Sequence, residues 1–488
     1  MGKKEEVIKT QSTQDFPPVV AVLGHVDHGK TTLLDAVRKS TIAEGEIGGI
    51  TQKIGASSIE VMHDGTKRRL TFIDTPGHQT FSAMRLRGAK VADIGLLIVS
   101  SQEGVMPQTK ESISVLKKAG IPMIVVFTKV DLPEKQIEKT KQQLLKEEVF
   151  LEGLGGDVPT IEVSAKTNKN IHELLELILL VYELHGDMFM ARSKDAPFTG
   201  TIIESRLDPK IGPRATVIIK NGTIHVRDVI MAEEGEVKVR SLITDKNKQV
   251  QQASVGDAVE ILGFTKVPPV GSIVSENSDS QKTRKTESFE FSEKPSFHHD
   301  EQALSIVLVA DTIGSLEAIT AAFSSKIVVA LQKTGDITAS DVFLAKSTGS
   351  IIVGFHAGIK SDVKQLGRTE KVLMKNYTII YELLEEIQDV LDGKALALEE
   401  IIFGKAKVLA SFPFDKTKVL GIVVLEGRVA KGDRVRIMRG DDIIGESTIS
   451  SVRQGKNQIS KIEEKKEGGI ILSPFLDFTI GDMLICHR

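Results

Sequence analysis

An apolar run, Val19–Leu23 (VVAVL), is followed by GHVDHGKTT and then by a helix-patterned segment from Thr31 to Ser40. The spacing Gly24-x-x-x-x-Gly29-Lys30-Thr31 constrains this chain more than any other feature. A loop between a buried strand and a helix N-terminus can aim several backbone N–H groups at one point. The helix end adds positive potential there, so the loop cradles an anion. Glycine is needed where a side chain would hold phosphate away from the backbone. In this pattern Lys30 reaches β- and γ-phosphates and the Thr31 hydroxyl ligates Mg²⁺. Gly24, His25, Val26, Asp27, His28, Gly29 and Thr32 complete the phosphate loop. The three-residue spacing of His25 and His28 would suit zinc, but no cysteine or acidic cluster nearby completes such a site. They read as loop residues.

Further apolar runs, Leu70–Thr75, Ile94–Ser101, Pro122–Asp131 and Thr160–Ala165, read as strands buried on both faces. They alternate with helical segments such as Gln108–Ala119 and Ile171–Leu184. This predicts a doubly wound parallel sheet with helices on both sides. Three short motifs fall at successive strand ends, where such sheets bind ligands: DTPGH (Asp74–His78), TKVD (Thr128–Asp131) and SAK (Ser164–Lys166). Asp74 would hold the Mg²⁺ shell through water; Thr75 and Pro76 lead to Gly77, whose N–H can sense a γ-phosphate. Asp131 can accept from the N1 and N2 donors of guanine, a pairing adenine does not offer. Lys129 lies along the base, the Ala165 N–H can donate to guanine O6, and Val130, Ser164 and Lys166 flank them. Asparagine is usual where Thr128 stands, so one loop-bracing hydrogen bond is expected to weaken. The expected ligands are GTP and GDP with Mg²⁺.

The pattern changes after the nucleotide-binding domain, placed at 17–190 behind a flexible tail at 1–16. Short strands with turn signals predict a β-barrel at 196–275, and the polar stretch around DSQKTRKTES predicts a linker at 276–302. Strand–helix alternation returns at 303–376, giving a second α/β domain. Residues 377–394 carry apolar positions at helical spacing and a terminal glycine, and read as a connecting helix. A strand-rich segment, 395–488, predicts a C-terminal β-barrel. The fold class is therefore multidomain α/β and β: P-loop domain, barrel, second α/β domain, helix, barrel. An internal repeat supports two related barrels. Val217–Met231 resembles Ile422–Met438, each with a glycine (Gly222, Gly427) six residues before an aspartate (Asp228, Asp433). VGDAVEI (Val255–Ile261) and IGDMLI (Ile480–Ile485) follow in the same order.

With one cysteine, Cys486, among 488 residues, no intrachain disulfide can form, and a reducing cytoplasmic setting is expected. No run approaches 18 apolar residues, so no membrane span is expected, and the N-terminus lacks the apolar core of a signal peptide. A net charge of −3 gives no global basic signature, so a nucleic-acid partner would be met by local patches or through other proteins.

GHVDHGKTT and DTPGH resemble the motifs of translational GTPases. IGGITQKIGA (Ile47–Ala56), ADTIGSLEAI (Ala310–Ile319) and YTIIYELLEEI resemble, within that class, bacterial translation initiation factor two. The resemblance runs from about residue 17 to 488; the long variable N-terminal extension of many members has no counterpart here. It implies that Thr51 closes on Mg²⁺ and γ-phosphate in the GTP state, and that His78 positions the attacking water once the ribosome orders it. It also implies a ribosome-stimulated GTPase that joins initiator formylmethionyl-tRNA to the small subunit and promotes subunit joining. The implied partners are both ribosomal subunits, initiator tRNA and other initiation factors, with the chain a monomer. The last domain departs from the family's tRNA pocket. Its first cysteine falls on Ile422, its basic–basic–aromatic triplet on Arg453, Gln454 and Gly455, and its Glu-Cys-Gly turn on Glu467, Gly468 and Gly469. Arg453 and Glu467 remain as candidate tRNA contacts. Two other readings are another ribosome-associated GTPase, which the segments at 47–56 and 310–319 oppose, and a GTP-gated RNA-binding scaffold with little hydrolysis, which Thr31, Thr51, Asp74 and His78 oppose.

Overall fold

The first sheet has six strands in the order β2-β3-β1-β4-β5-β6: β1 Val19–Gly24, β2 Gly55–His63, β3 Thr66–Asp74, β4 Ile94–Ser100, β5 Met123–Thr128 and β6 Thr160–Glu162. They belong to a computed structural model that describes residues 16–38, 51–63, 65–189, 192–276, 303–392, 403–414, 417–439, 442–454, 457–473 and 478–487. Nearly all of the expected tail and of the 276–302 linker, and the first part of IGGITQKIGA, lie outside the described residues; Phe16, the last residue of that tail, is buried. The five strands expected from the apolar runs are parallel, and β2, which was not predicted, adds an antiparallel edge beside β3. The sequence signal for β2 is the DG pair at 64–65 between two strand-like runs; β2 and β3 pair as a hairpin, with Gly65 at φ 72°.

Because β1 is covered on both faces, its alternate side chains enter different cores. Val20 and Val22 pack with α1 (Lys30–Arg38) and α5 (Ile171–Leu184) through Leu33, Leu34, Leu174 and Ile178. Val19, Ala21 and Leu23 face α2 (Ser82–Val91) and α3 (Pro107–Ala119) through Met84, Ala89 and Leu116. Helices α2 and α4 (Ile137–Lys146) were not predicted. SAMRLRGAKV spreads its charges around the helix, and only tertiary packing buries Met84, Arg85 and Ala89 together.

The second core does not stop at the first domain. It continues through Ile203 and Ile218 of the following β domain into Ile306, Leu308, Ile319 and Ile380 of the second α/β domain. An ion cluster reinforces this junction. Asp93 is 1% exposed, accepts from the Val19 N–H at 2.8 Å, and pairs with Arg192 and, at 3.2 Å, with Lys220 from the β domain. Burial alone would raise the Asp93 pKa, but the two cations hold it below the usual carboxylate range. Stability from this depressed acid is present above the unfolded pKa and is lost as pH falls through the folded one. Asp93→Asn should cost about 3–5 kcal/mol, since it removes the buried counter-charge of two part-buried cations. A fall in the urea midpoint at constant slope would register it; an unmoved midpoint would refute the account.

The β domain forms an antiparallel path of eight strands around Phe198, Ile202, Val217, Ile230, Leu242 and Ile261. The second α/β domain has four parallel strands, ordered Ile327–Thr334, Leu304–Ala310, Ile351–Phe355, Met374–Tyr377. Helices α6 (Ile313–Ala322), α7 (Ala339–Thr348) and α8 (Ser361–Thr369) connect them. The expected connecting helix begins later than 377: Tyr377 ends a strand, and α9 spans Ile380–Leu391. Its Ile380, Leu383 and Ile387 are buried against the shared core, so α9 is a packed element here. Among the described residues no helix is long and apolar enough to cross a membrane.

Residues Met1–Leu396 and Ala397–Arg488 form separate compact units. In the second, six strands close into a barrel: Gly404–Phe414, Thr417–Ala430, Glu467–Ser473, Asp442–Gln454, Arg434–Arg439 and Met483–His487. Cys486 is in its core, where burial pushes the thiol up to about 12. The internal repeat is realised as one turn built four times. Asp228, Asp257, Asp433 and Asp482 each accept the backbone N–H three residues earlier, at 2.7–2.9 Å. Each follows a residue with positive φ: Arg227 at 83°, Gly256 at 82°, Gly432 at 92° and Gly481 at 102°. Gly222 and Gly427 also match, at φ 75° and 69°; a Cβ on either would collide with backbone, at Phe198 and Phe403 respectively.

Candidate nucleotide site

The turn from β1 into α1 places Lys30 at the first helical position. Its ammonium donates to the loop's own carbonyls, Gly24 O at 3.0 Å and His25 O at 2.5 Å. Gly24 packs so tightly on β4 that a Cβ would come within 2.5 Å of Ile98 O. Gly77 lies against the same loop: its Cβ would sit 2.5 Å from Lys30 Nζ and 3.0 Å from Val26 N. Thr31 and Thr51, both expected around Mg²⁺, have hydroxyl oxygens 2.6 Å apart. Asp74 is buried at the end of β3, and Thr75 donates to Val22 O at 2.7 Å, tying that strand end to β1.

A cavity of about 330 Å³ runs from this cluster to the ends of β5 and β6. It is lined by Val26, Asp27, Gly29, Lys30, Thr31, Thr32, Thr51, Gly77, His78, Thr128, Lys129, Asp131, Ala165 and Lys166, together with Leu132. Gly24, His25, His28, Asp74, Thr75, Pro76, Val130 and Ser164 are outside that lining, and several support it from behind. Ser164 donates to Asp131 Oδ1 at 2.8 Å; this hydrogen bond holds the Asp131 carboxyl below its usual range. Val130 is core. His28 is fully buried with its Nδ1 3.4 Å from Ile98 O, and burial pushes its pKa down to about 4. The His25 and His28 rings meet edge-on at 5.0 Å, and among the described residues no three His, Cys, Asp or Glu side chains are grouped to hold a metal. Thr128 makes a loop brace of its own, donating to His28 O at 2.6 Å across 100 residues of sequence.

His78 caps a short 3₁₀ turn, Gln79–Phe81. Its Nδ1 accepts from the Thr80 N–H at 3.3 Å and lies 2.6 Å from Thr80 Oγ1. The ring meets Tyr381 of α9 edge-on at 4.2 Å. Burial, and then the Arg85 cation, lower its pKa. Four supporting residues were not legible in the sequence. Gln108 accepts from the phosphate loop's Val26 N–H at 2.9 Å. Gln52, next to Thr51, is buried, donates to Thr378 O at 2.9 Å and accepts from Ile380 N–H at 3.0 Å. Arg85 and Tyr381 press on the His78 segment. Only Gln108 had a local cue, following Pro107 at a helix start.

The candidate tRNA residues are in the C-terminal barrel. Three adjacent strands bring them together in register: Ile422 opposite Gly468, and Gly469 opposite Gly421 and Arg453. Ile422 is core and Glu467 is exposed. A Cβ on Gly468 would collide with Ile462 and sit 2.8 Å from Arg453 O, so isoleucine fills the space a side chain there would need. Gly455 lies outside the described residues.

The phosphate loop, the convergent threonines and the strand-end motifs on this sheet define a P-loop guanine-nucleotide domain of the elongation-factor type. Residues 18–183 match the family model for the elongation factor Tu GTP binding domain, 197–277 that for elongation factor G domain 2, and 276–388 that for translation-initiation factor 2. Relatives named translation initiation factor IF-2 come from Carboxydothermus hydrogenoformans (38% identical over 97% of this chain and 60% of the relative), Synechocystis sp. (39%, 97% and 50%) and Dehalococcoides mccartyi (37%, 96% and 81%). The chain belongs to the translation initiation factor IF-2 family. It spans only half to three fifths of the first two of these relatives.

Proposed function

We propose that this chain binds GTP and GDP, hydrolyses GTP when the ribosome stimulates it, and acts in initiation by bringing initiator tRNA to the small subunit and promoting subunit joining in the cytoplasm. One observation carries the reading. A single cavity gathers a phosphate-binding lysine, two threonine hydroxyls and Gly77 at one end, and Thr128, Asp131 and Ala165 at the other. On this reading Lys30 and the loop amides hold the phosphates, and Asp131 selects guanine. Thr31, Thr51 and, through water, Asp74 would hold Mg²⁺; hydroxyl and carboxylate oxygens are the hard donors that ion takes. Bound there, the ion would neutralise phosphate charge. His78 orients water, and the catalysis is placement more than base strength. We assign the domains as 17–190, 196–275, 303–376 and 395–488. Single-turnover GTP hydrolysis with and without ribosomes tests the reading: slow alone and much faster with ribosomes is expected. Equal rates would overturn it.

The C-terminal barrel is proposed to contact the aminoacylated end of initiator tRNA through Arg453 and Glu467. Ile462 occupies the space beside Gly468, and four pocket positions, Ile422, Gln454, Gly455 and Gly468, depart from the family's residues. Binding of formylmethionyl-tRNA should therefore be weaker than in relatives with the full pocket, with less discrimination against the unformylated form. Protection of the ester from hydrolysis, compared for both tRNAs, measures this. Strong protection with sharp formyl selectivity would show the pocket to be intact.

A further inference from the structure

Arg85 is a fully buried arginine next to the proposed site, and it belongs to no motif read from the sequence. It rises from α2 beneath the turn that holds Gly77 and His78. Its guanidinium donates to Pro76 O at 2.9 Å, to His78 O, and at 3.4 Å to Gln79 O. From α3, Glu111 pairs with it at 2.6 Å, and Ser82 Oγ, 3.2 Å away, joins the same carboxylate. One planar fork thus gathers three carbonyls of a four-residue segment. Arginine can do this because its five donors keep a fixed geometry, which a lysine ammonium lacks. Two of those carbonyls flank Gly77, and one belongs to His78 itself.

We propose that Arg85 is a positioning residue for GTP hydrolysis: with Glu111 as its counter-ion, it fixes the Pro76–Gln79 backbone and so orients His78 and the Gly77 amide. The proposal rests on the role assigned to His78. The charge arrangement is consistent with it, because the Arg85 cation works with burial to keep the imidazole neutral while Glu111 opposes it. Among the described residues Arg85 and Glu111 are the ionic groups that act on the ring, and Tyr381 and Phe81 face it as aromatic neighbours.

Two readouts on the full chain test this. In Arg85→Gln, ribosome-stimulated turnover should fall roughly 10- to 100-fold, the scale of a misplaced catalytic group, while GDP affinity stays within about three-fold. In the same variant the His78 imidazole should titrate at higher pH by NMR, the resonance being assigned by its loss in His78→Ala. Glu111→Gln should move that titration the opposite way, and it serves if Arg85→Gln does not fold. Arg85→Lys should keep the titration near its original place and recover turnover only in part. A turnover loss with an unmoved His78 titration would show a merely structural role and overturn the proposal, as would unchanged turnover. Full stimulated turnover in His78→Ala would instead refute the role of His78, and the NMR arm keeps the two failures apart.

Discussion

His78→Ala is expected to reduce ribosome-stimulated GTP hydrolysis by about 10²-fold or more while GTP and GDP affinities stay within about three-fold. The side chain lines the cavity beside Gly77 and Lys30 but is not part of the phosphate loop. Its Nδ1 accepts from the Thr80 N–H, so in the neutral ring the proton is assigned to Nε2. That tautomer offers water a donor, which suits orienting a nucleophile better than taking its proton. Protonation would put a hydrogen on Nδ1 as well and break its acceptance from the Thr80 N–H. Burial lowers the pKa, so the working neutral form persists below the ordinary histidine range, and turnover should fall only when pH drops through the depressed value. Pre-steady-state hydrolysis on ribosomes measures the effect, and unchanged turnover would remove His78 from the mechanism.

Asp131→Asn should reverse base preference. The carboxylate is exposed at the end of β5 with one oxygen accepting from Ser164, which leaves its acceptor capacity for the N1 and N2 donors of guanine. Asparagine replaces one acceptor with a donor, which clashes with guanine N2 and suits the carbonyl of xanthine. A charge-assisted pair lost and an unpaired donor left behind correspond to roughly 10²- to 10³-fold weaker GTP binding, with XTP gaining. Competition of GTP and XTP against a fluorescent nucleotide would measure both. Equal preference before and after the change would remove Asp131 from base recognition.

Strand β2, joined to β3 through Gly65, shows where the apolar-run signal falls short. β2 is a half-buried edge strand, so it lacks the continuous apolar run that marked β1, β4 and β5. Thr128 shows the opposite limit. As a residue type it looked like a weakened brace; only the fold puts its hydroxyl 2.6 Å from a carbonyl that comes 100 positions earlier.

By itself the sequence determined the phosphate loop, the strand-end motifs, the order of α/β and β segments, and the repeated glycine–aspartate turns. These rest on local backbone demands: glycine where backbone must approach closely, apolar runs where both faces are covered, aspartate where a turn N–H needs an acceptor. Tertiary structure alone decided that three segments share one core through Ile218, Ile306 and Ile380, and that Asp93 meets Arg192 and Lys220 there. It also decided that Gln52 grips Thr378 and Ile380, that Tyr381 meets His78, and that Arg85 lies under Pro76–Gln79. Most of these partners are tens to hundreds of residues apart. A buried polar group must find a partner, but nothing in its neighbours along the chain specifies which one; that choice exists only once the packed elements enclose it.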